Sequence, residues 1–386
     1  MVEKTNIPFG KPMLSKLEIE RVSQVLSGST LVHGPVTREF EEGFAERIGA
    51  PYAVSVSSCT AGLHLSLIAL GIGPGDEVIV PAMTHVATAH AVEYVGATPV
   101  FVDVFDDSGN MNVSMLDSLI TSRTKAIMPV HYLGLPCRMD VIGNLVHGTD
   151  IAVVEDCALA VDAKFNGVKA GMLGDAGTFS FYPVKHMTTV EGGMVTTSNK
   201  KLAESVRKHR ALGYDRALGE RSKPGIYDVD SLGFNYRMNE VDAAVGVTQL
   251  DKLDDFQKIR KENYSRLFNL LSDLDQLTIF NPIQGEAVSS HYCFNIILPR
   301  DGSVNRDKVV EELSMAGIGS SVHYPCAVPL FSYYKTKYGY KNGQFPVAEW
   351  IASQTISLPV GPHLPSDGPE KIAAQLKKSF LNNQKR

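Results

Sequence analysis

Short apolar runs alternate with helical patterns between about residues 50 and 200, and Gly or Pro separates most of these segments. The apolar runs predict strands, and the segments between them, with their longer apolar period, predict helices. The predicted strands cover residues 53–56, 77–80, 99–104, 126–130 and 151–154, and the predicted helices cover 60–70, 84–95 and 114–120. This alternation, with fully apolar strands, indicates a mostly parallel sheet that is covered by helices on both faces.

The pattern changes after Gly192, where the regular alternation ends. The later segments are a strand at 193–197, a helix at 200–212, a polar loop at 213–232, a helical region from 239 to about 274 with a break near Asp254, a strand at 293–298, and helices at 307–316 and 369–381. We therefore predict a large α/β domain over residues 1–254 and a smaller α+β domain over residues 255–386.

Composition and charge narrow the classes of function. The 386 residues are 44% hydrophobic and 20% charged, which is typical of a soluble protein with a large core. The chain has 37 basic and 42 acidic residues, a net charge of −5 and no block of like charges, so we expect no nucleic-acid partner. Its five cysteines form no CxxC pair, which argues against a disulfide framework. Without a signal-like or membrane-length apolar run, we expect a cytoplasmic protein with no membrane partner.

The segment 174–197 places Lys185 among aromatic, hydroxyl and small residues. Such surroundings remove water from the amine, which lowers its pKa and frees it as a nucleophile for Schiff-base chemistry. Most lysines at strand ends are surface residues. Asp156 changes this interpretation, because the predicted buried strand at 151–154 runs directly into Glu155 and Asp156. A carboxylate there suits the protonated ring nitrogen of pyridoxal phosphate. Ligands bind at the carboxyl ends of parallel strands, where both residues are expected.

Besides Lys185 and Asp156, a third candidate feature is the junction between the first predicted strand and the helix that begins near Thr60. Free N–H groups and the helix dipole make such a junction a phosphate site, although an ordinary Ser/Thr cap is an equally good interpretation.

The polar loop carries Arg216, Arg221 and Lys223, which suit a substrate diphosphate or simply a solvated loop. No His, Cys and Asp residues have metal-ligand spacing, so we expect no metal.

Several stretches in order along the chain resemble the DegT/DnrJ/StrS family of pyridoxal-phosphate sugar aminotransferases. The main ones are SSCTAGLHLSLIALGIGPGDEVIVPAMTHVATAH, VVEDCALAVDA, GDAGTFSFYPVKHMTTVEGGMVTT and LGFNYRMNEVDAAVGVTQLDKL, with IPFGKPMLSKLEIERVSQVL, GIGSSVHYP and ISLPVGPHL beside them. The resemblance covers nearly the whole chain. It implies an aspartate-aminotransferase-like fold (fold type I) and a homodimer with active sites at the subunit interface.

The resemblance also implies roles for individual residues. Lys185 would bind pyridoxal phosphate covalently and carry protons, and Asp156 would pair with the ring nitrogen. The phosphate would be held by the main-chain N–H groups of Thr60 and Ala61 and by the hydroxyl of Ser180. The remaining implied contacts are Asn235, reaching the phosphate of the other subunit, and His85, lying against the ring face.

Three positions depart from the family pattern. Leu159 stands where Gln or His is frequent, so a hydrogen bond to the cofactor's 3-oxygen is lost there. Val190 replaces a frequent Gly, and His186 replaces a frequent Asn. His186 matters because some relatives are nucleotide-sugar 3-dehydratases with histidine in place of the lysine. In the family, the lysine lies five residues after the Ser of SFYP and six before the Glu of EGG. Lys185 satisfies both spacings, with Ser180 and Glu191, so a dehydratase with histidine at the lysine position is disfavoured.

The expected function is therefore transfer of an amino group from an amino acid, glutamate in most of the family, to a keto-sugar. A nucleotide-linked 4-keto-6-deoxy or 3-keto sugar is the expected acceptor. Alternatives are a 3-dehydratase, an aminotransferase for a cyclitol or smaller keto compound, and a non-catalytic regulatory protein. His186, Arg216 and His323 are weaker candidates for substrate contacts, because a structural histidine or a solvated arginine explains each equally well.

Overall fold

A computed structural model describes residues 6–215 and 226–384 of the chain. Its helices are α1 Lys16–Leu26, α2 Pro35–Ile48, α3 Cys59–Ala69, α4 Val86–Tyr94, α5 Leu116–Leu119, α6 Met139–Val146, α7 Lys200–His209, α8 Glu240–Asp251, α9 Leu253–Leu271, α10 Arg306–Met315, α11 Ser332–Tyr338, α12 Pro346–Gln354 and α13 Gly368–Asn382. Its strands are β1 Tyr52–Val56, β2 Glu77–Pro81, β3 Thr98–Val102, β4 Thr124–Ile127, β5 Ala152–Asp156, β6 Lys164–Phe165, β7 Val168–Lys169, β8 Ala176–Ser180, β9 Gly193–Thr197, β10 Thr278–Ile279, β11 Ile283–Gln284, β12 Ala287–Val288, β13 Phe294–Ile297 and β14 Thr355–Leu358.

A seven-stranded sheet in the order β1-β9-β8-β5-β4-β2-β3 forms the centre of the larger part of the chain. The pairs from β8 to β3 are parallel, and β9 runs antiparallel to both of its neighbours. The predicted mostly parallel sheet is confirmed. Because strands β2, β5, β8 and β1 end at the same edge, the residues that follow them meet there.

Helix α3 packs against the sheet and is buried along most of its length, from Cys59 to Leu67. Its apolar residues lie all around the helix, as expected for a helix with protein on every side. Ser58 caps its first turn by accepting a hydrogen bond from the main-chain N–H of Ala61 at 3.1 Å. The start of α3 is therefore fixed directly after β1, at the carboxyl edge of the sheet.

A second, antiparallel sheet of β10, β13 and β14 lies in the C-terminal part, with α9, α10 and α13 packed near it. Its core includes Leu267, Phe294, Ile356 and Phe380, and Ile7 from the N-terminal segment joins them. The predicted division at residues 254 and 255 falls inside α9 and stays a prediction. Across the described ranges, no helix combines the length and apolar character of a membrane-spanning segment.

The predicted elements correspond to observed ones with shifts of a few residues at their ends. The long helical region is two helices that meet at Lys252, close to the predicted break. The helix expected at 84–95 begins only at Val86, because His85 has extended dihedral angles and caps it. The helix expected at 200–212 ends at His209.

Gly177 in β8 permits a close approach of two main-chain segments. A Cβ added there would overlap the main chain of Gly171. We expect Gly177→Ala to lower the free energy of unfolding by about 1–3 kcal/mol, the usual cost of overpacking. Gly143 on α6 is the matched control, because a Cβ there meets nothing within 4 Å. Gly143→Ala is expected to leave stability unchanged or raise it by up to about 1 kcal/mol. Denaturant unfolding measures both, and equal effects would contradict the packing argument.

Candidate active site

Asp156 is the last residue of β5, and its buried carboxylate lies between the starts of two helices. It accepts hydrogen bonds from the hydroxyl of Thr88 at 2.8 Å and from the main-chain N–H of Ala158 at 3.0 Å. The thiol of Cys59, at the start of α3, lies 3.8 Å from the same carboxylate. These donors fix the orientation of a charged group in a low-dielectric environment, where an unpartnered carboxylate would be costly.

The preceding residue, Glu155, points to the opposite face of β5, where it is also fully buried. It accepts hydrogen bonds from the main-chain N–H groups of Gly171, Leu173 and Gly174 at 2.8–2.9 Å, and it lies 2.8 Å from Nε2 of His131. Nδ1 of His131 accepts from the N–H of Cys137, so Nε2 carries the proton that is donated to Glu155.

His131, Glu155 and Cys157 form a cluster in which one ligand atom from each residue lies within 4.8 Å of the others. Both nitrogens of His131 already have hydrogen-bond partners, and Glu155 accepts from the neighbouring loop. A metal ion would have to displace the bond between His131 and Glu155. This network explains the histidine as a structural residue of the sheet edge, and the expectation of no metal stays a prediction.

The start of α3 and the start of β9 touch closely. A Cβ on Gly193 would lie 2.5–2.7 Å from main-chain atoms of Ser58 and Cys59, so only glycine allows this contact. Ser180, the last residue of β8, pairs with Gly193 across the sheet. The N–H groups of Thr60 and Ala61 and the hydroxyl of Ser180 therefore lie around one small region. In this structure the N–H of Ala61 is directed to the Ser58 hydroxyl.

Lys185 lies on the connection between the antiparallel strands β8 and β9. The connection is closed by a hydrogen bond from the N–H of Phe181 to the carbonyl of Gly192 at 3.0 Å. Within it, the hydroxyl of Thr188 donates to the carbonyl of Phe181, and the N–H of Lys185 donates to the carbonyl of Tyr182. Lys185 is thus held on a compact hairpin loop whose ends belong to the sheet.

Burial has the largest effect on the amine of Lys185, and it lowers the pKa below its ordinary value of 10.5. Negative charge on Cys59, Asp156 or Cys293 acts in the opposite direction. Burial also raises the pKa of both thiols, that of Cys59 well above 9.0 and that of Cys293 to about 12. Near neutral pH the thiols are therefore uncharged, and Asp156 is the carboxylate that attracts a proton to Lys185.

A row of aromatic rings begins beside the amine of Lys185. Nζ of Lys185 lies over the ring of Tyr292, 5.4 Å from its centroid. Tyr292 contacts His323, which in turn contacts Tyr324, and the Tyr324 ring lies edge-on to His85. Burial lowers the pKa of His323 to about 3, with repulsion from Lys185 and His85 adding to the effect. Burial and then the charge of Lys185 also lower the pKa of His85, so both rings are neutral at pH 7.

The structure gives structural partners to three of the predicted site residues. Nδ1 of His323 lies 2.9 Å from the Ser357 hydroxyl. Nε2 of His186 lies 3.2 Å from the carbonyl of Ser290, and the His186 ring is buried. The side chain of Leu159 lies in the apolar core, and its carbonyl accepts from the Ser290 hydroxyl. Their proposed contacts with cofactor or substrate stay predictions.

Asn235 contributes no hydrogen bond to this group in the described parts of the chain. Asn235 is exposed and is joined by a main-chain bridge to Ala211. No hydrogen bond among the described residues connects its side chain to Lys185 or Asp156. Arg216, Arg221 and Lys223 lie outside the described residues. A role for Asn235 in a neighbouring subunit stays a prediction.

Sequence reasoning missed Thr88, Tyr292 and Arg260. Thr88 could have been found, because it lies one helical turn after His85 and thus on the same side of α4. Tyr292 and Arg260 carry no local signal, since tertiary packing alone brings them to Lys185. Arg260 on α9 donates to the carbonyl of Lys185 from a different part of the chain.

The site provides what pyridoxal phosphate requires. The start of α3 and Ser180 offer donors for a phosphate, the buried Asp156 suits a protonated ring nitrogen, and Lys185 offers an amine with a lowered pKa. This fold and site define a pyridoxal-phosphate enzyme of fold type I. The sequence profile of the DegT/DnrJ/EryC1/StrS aminotransferase family matches residues 12–377, and the chain belongs to that family. It is a pyridoxal-phosphate-dependent aminotransferase.

Similar proteins support this assignment. The spore coat polysaccharide biosynthesis protein SpsC of Bacillus subtilis is 37% identical over 96% of this chain and 97% of its own. Spr1654 of Streptococcus pneumoniae, solved in PMP and PLP forms, is 29% identical, with TM-scores of 0.92 and 0.90. The PMP-form comparison covers 98% of this chain and 100% of that chain. Helicobacter pylori PseC, an aminotransferase of pseudoaminic acid biosynthesis, is 27% identical over 98% of this chain and 100% of its own, with a TM-score of 0.91.

The charge on Asp156 is expected to set the protonation of Lys185. In Asp156→Asn the neighbouring ammonium loses an attractive charge, so the pKa of Lys185 falls further and more of the amine is neutral at a given pH. Competitive acylation of the apoprotein across a pH series, followed by mass spectrometry, gives the midpoint for Lys185. Glu77→Gln is the control, since Glu77 begins β2 at the opposite edge of the sheet. An unchanged or raised midpoint in Asp156→Asn would contradict this electrostatic account.

Proposed function

We propose that this enzyme transfers the amino group of an amino acid, glutamate, to the keto group of a nucleotide-linked sugar. A 4-keto-6-deoxy sugar, or a 3-keto relative, is the proposed acceptor. The observation that carries the proposal is the arrangement of Lys185, whose amine has a lowered pKa, over the Tyr292 ring at the edge that also holds Asp156. The names of SpsC and PseC, which refer to polysaccharide and pseudoaminic acid biosynthesis, support a sugar acceptor.

Bound pyridoxal phosphate would supply an electron-accepting ring that stabilises negative charge on the carbon that loses its proton. Asp156 would keep the ring nitrogen protonated, because its carboxylate is held by Thr88 and Ala158 and remains a hydrogen-bond acceptor there. The hydroxyl of Ser180 and the main-chain N–H groups of Thr60 and Ala61 would hold the phosphate, with the N–H of Ala61 leaving the Ser58 hydroxyl to do so. Together, Asp156, Ser180 and the start of α3 would hold the cofactor beside Lys185.

Lys185 would serve as the group that takes a proton at Nζ and returns it to a neighbouring position. A lysine of ordinary pKa is almost entirely protonated at pH 7, whereas burial here favours the neutral amine. The Tyr292 ring lies against the amine, and His323 and Tyr324 continue this aromatic surface beyond Tyr292. His85, at the start of α4, would lie against the face of the bound ring.

We further propose that the active unit is a homodimer in the cytoplasm, with Asn235 of one subunit contacting the phosphate in the other. The exposed Leu17, Ile19 and Leu26 of α1, with Leu31 and Val32 beyond it, support a subunit interface, since a second subunit would cover them. The 3-dehydratase with a histidine in the lysine position is disfavoured, because the amine of Lys185 lies over the Tyr292 ring, whereas His186 is engaged by the carbonyl of Ser290.

Substitution of Lys185 tests the central claim. With pyridoxal phosphate added, the wild-type protein is expected to show a visible absorption band that borohydride abolishes, and Lys185→Ala is expected to lack it. Transfer of nitrogen from glutamate should fall by at least about 100-fold, the lower range for loss of a general acid–base group. Lys125→Ala is the control, because Lys125 is an exposed lysine of β4. A wild-type protein without the band would refute the proposal.

Product analysis separates the remaining alternatives. Incubation with glutamate and a nucleotide-linked keto-sugar should give an amino sugar and 2-oxoglutarate in equal amounts. Loss of a sugar hydroxyl without nitrogen transfer would instead establish a dehydratase. Amination of only a cyclitol or a small keto compound would retain the aminotransferase but exclude the sugar acceptor.

A further inference from the structure

Arg260 on α9 is a buried arginine that pairs with no carboxylate in the described parts of the chain. Its side chain is 7% exposed. Nη1 donates to the carbonyl of Tyr292 at 2.9 Å, and Nη2 donates to the carbonyl of Lys185 at 3.3 Å. The Nε atom has no hydrogen-bond partner among the described residues. The guanidinium thus joins the main chains of the two residues whose side chains meet at the site.

Burial of a cation without a counter-ion is costly, so the two carbonyl bonds must offset much of the lost hydration. Burial lowers the pKa of Arg260 to about 10, while Tyr292 and Cys293 act to raise it. Arg260 therefore stays protonated at neutral pH, and charge-assisted donors are stronger than neutral ones. Its planar fork can donate to two carbonyls at once, which an ammonium group cannot do with the same geometry.

His186 makes a second connection between the same two segments. Its Nε2 lies 3.2 Å from the carbonyl of Ser290, and its ring contacts Tyr292 with 5.6 Å between ring centroids. Burial, followed by repulsion from Arg260, lowers the pKa of His186 well below 6.5. The neutral ring therefore donates from Nε2 at pH 7. Residues 185–186 and 290–292 are joined by hydrogen bonds from two side chains.

These bonds hold the main chain of Lys185 relative to that of Tyr292. The N–H of Lys185 bonds within its own hairpin loop, to Tyr182, so that bond does not fix the loop relative to Tyr292. Arg260 supplies the direct link between the two main chains. We propose that Arg260, assisted by His186, is a positioning residue that holds the Lys185 amine over the Tyr292 ring for proton transfer. The inference rests on the proposed role of Lys185.

The test compares Arg260→Ala, Arg260→Lys and His186→Ala with Arg266→Ala. Arg266 is the matched control, because it lies on the same helix but is exposed and pairs with Glu370 at the surface. The first readout is the midpoint of the pH profile for acylation of Lys185 in the apoprotein. A midpoint does not depend on how easily the reagent reaches the amine, and it does not require the proposed reaction. The second readout is kcat and KM of the enzyme loaded with pyridoxal phosphate.

We expect Arg260→Ala to lower kcat by about 10- to 100-fold with little change in KM, because a small displacement of a catalytic group is enough for this. The midpoint for Lys185 should rise towards its ordinary value, since a released amine regains water. Arg260→Lys and His186→Ala should give smaller changes in the same directions, and Arg266→Ala none.

A wild-type midpoint and kcat in Arg260→Ala, even with reduced stability, would overturn the proposal and leave Arg260 purely structural. If Arg260→Ala does not fold, Arg260→Lys decides in the same way, because a single ammonium nitrogen cannot reproduce the two separate donor nitrogens of the guanidinium. A shifted midpoint in a protein that fails to aminate sugars would support the positioning role and refute only the proposed reaction.

Discussion

Two adjacent carboxylates buried at the end of β5 impose the main constraint on the architecture of this site. Side chains of neighbouring residues in a strand point to opposite faces, so Glu155 and Asp156 require separate sets of donors. The 171–174 loop and His131 satisfy Glu155 on one face, while Thr88, Ala158 and Cys59 contact Asp156 on the other. Loss of either set would leave a charge uncompensated in the core. Both faces of the sheet must therefore be in place before Asp156 can hold its orientation.

Local patterns in the sequence were sufficient to predict the repeating units of strand and helix and the positions of Asp156 and Lys185. Each of these depends on a short segment, such as the apolar run that ends at Asp156. Strand β8 was not predicted, because its residues, AGTFS, are small or polar and only pairing with β5 and β9 makes them a strand. Helices α1, α2 and α12 were not predicted either. Tyr292 and Arg260 were missed because only the packing of distant segments brings them to Lys185.

The backbone conformation of Val190 explains why glycine is the more suitable residue at this position. The residue has a φ of 72°, which lies in the left-handed region. A β-branched side chain is strained there, whereas glycine is not. The N–H of Val190 donates to the hydroxyl of Thr188, which helps to hold this conformation. A glycine would adopt this conformation without strain, so Val190 is held in the turn at some cost in stability.

The antiparallel direction of β9 has a consequence for how this chain can change over time. In a parallel sheet the residues after a strand lead into a long crossover, whose length can vary without moving the strand end. Here residues 181–192 connect β8 to its antiparallel neighbour β9, and the bond between Phe181 and Gly192 closes this connection. The position of Lys185 therefore depends on the number of residues between it and each end of this closed loop. We therefore expect an insertion or deletion on either side to shift the lysine relative to its neighbours.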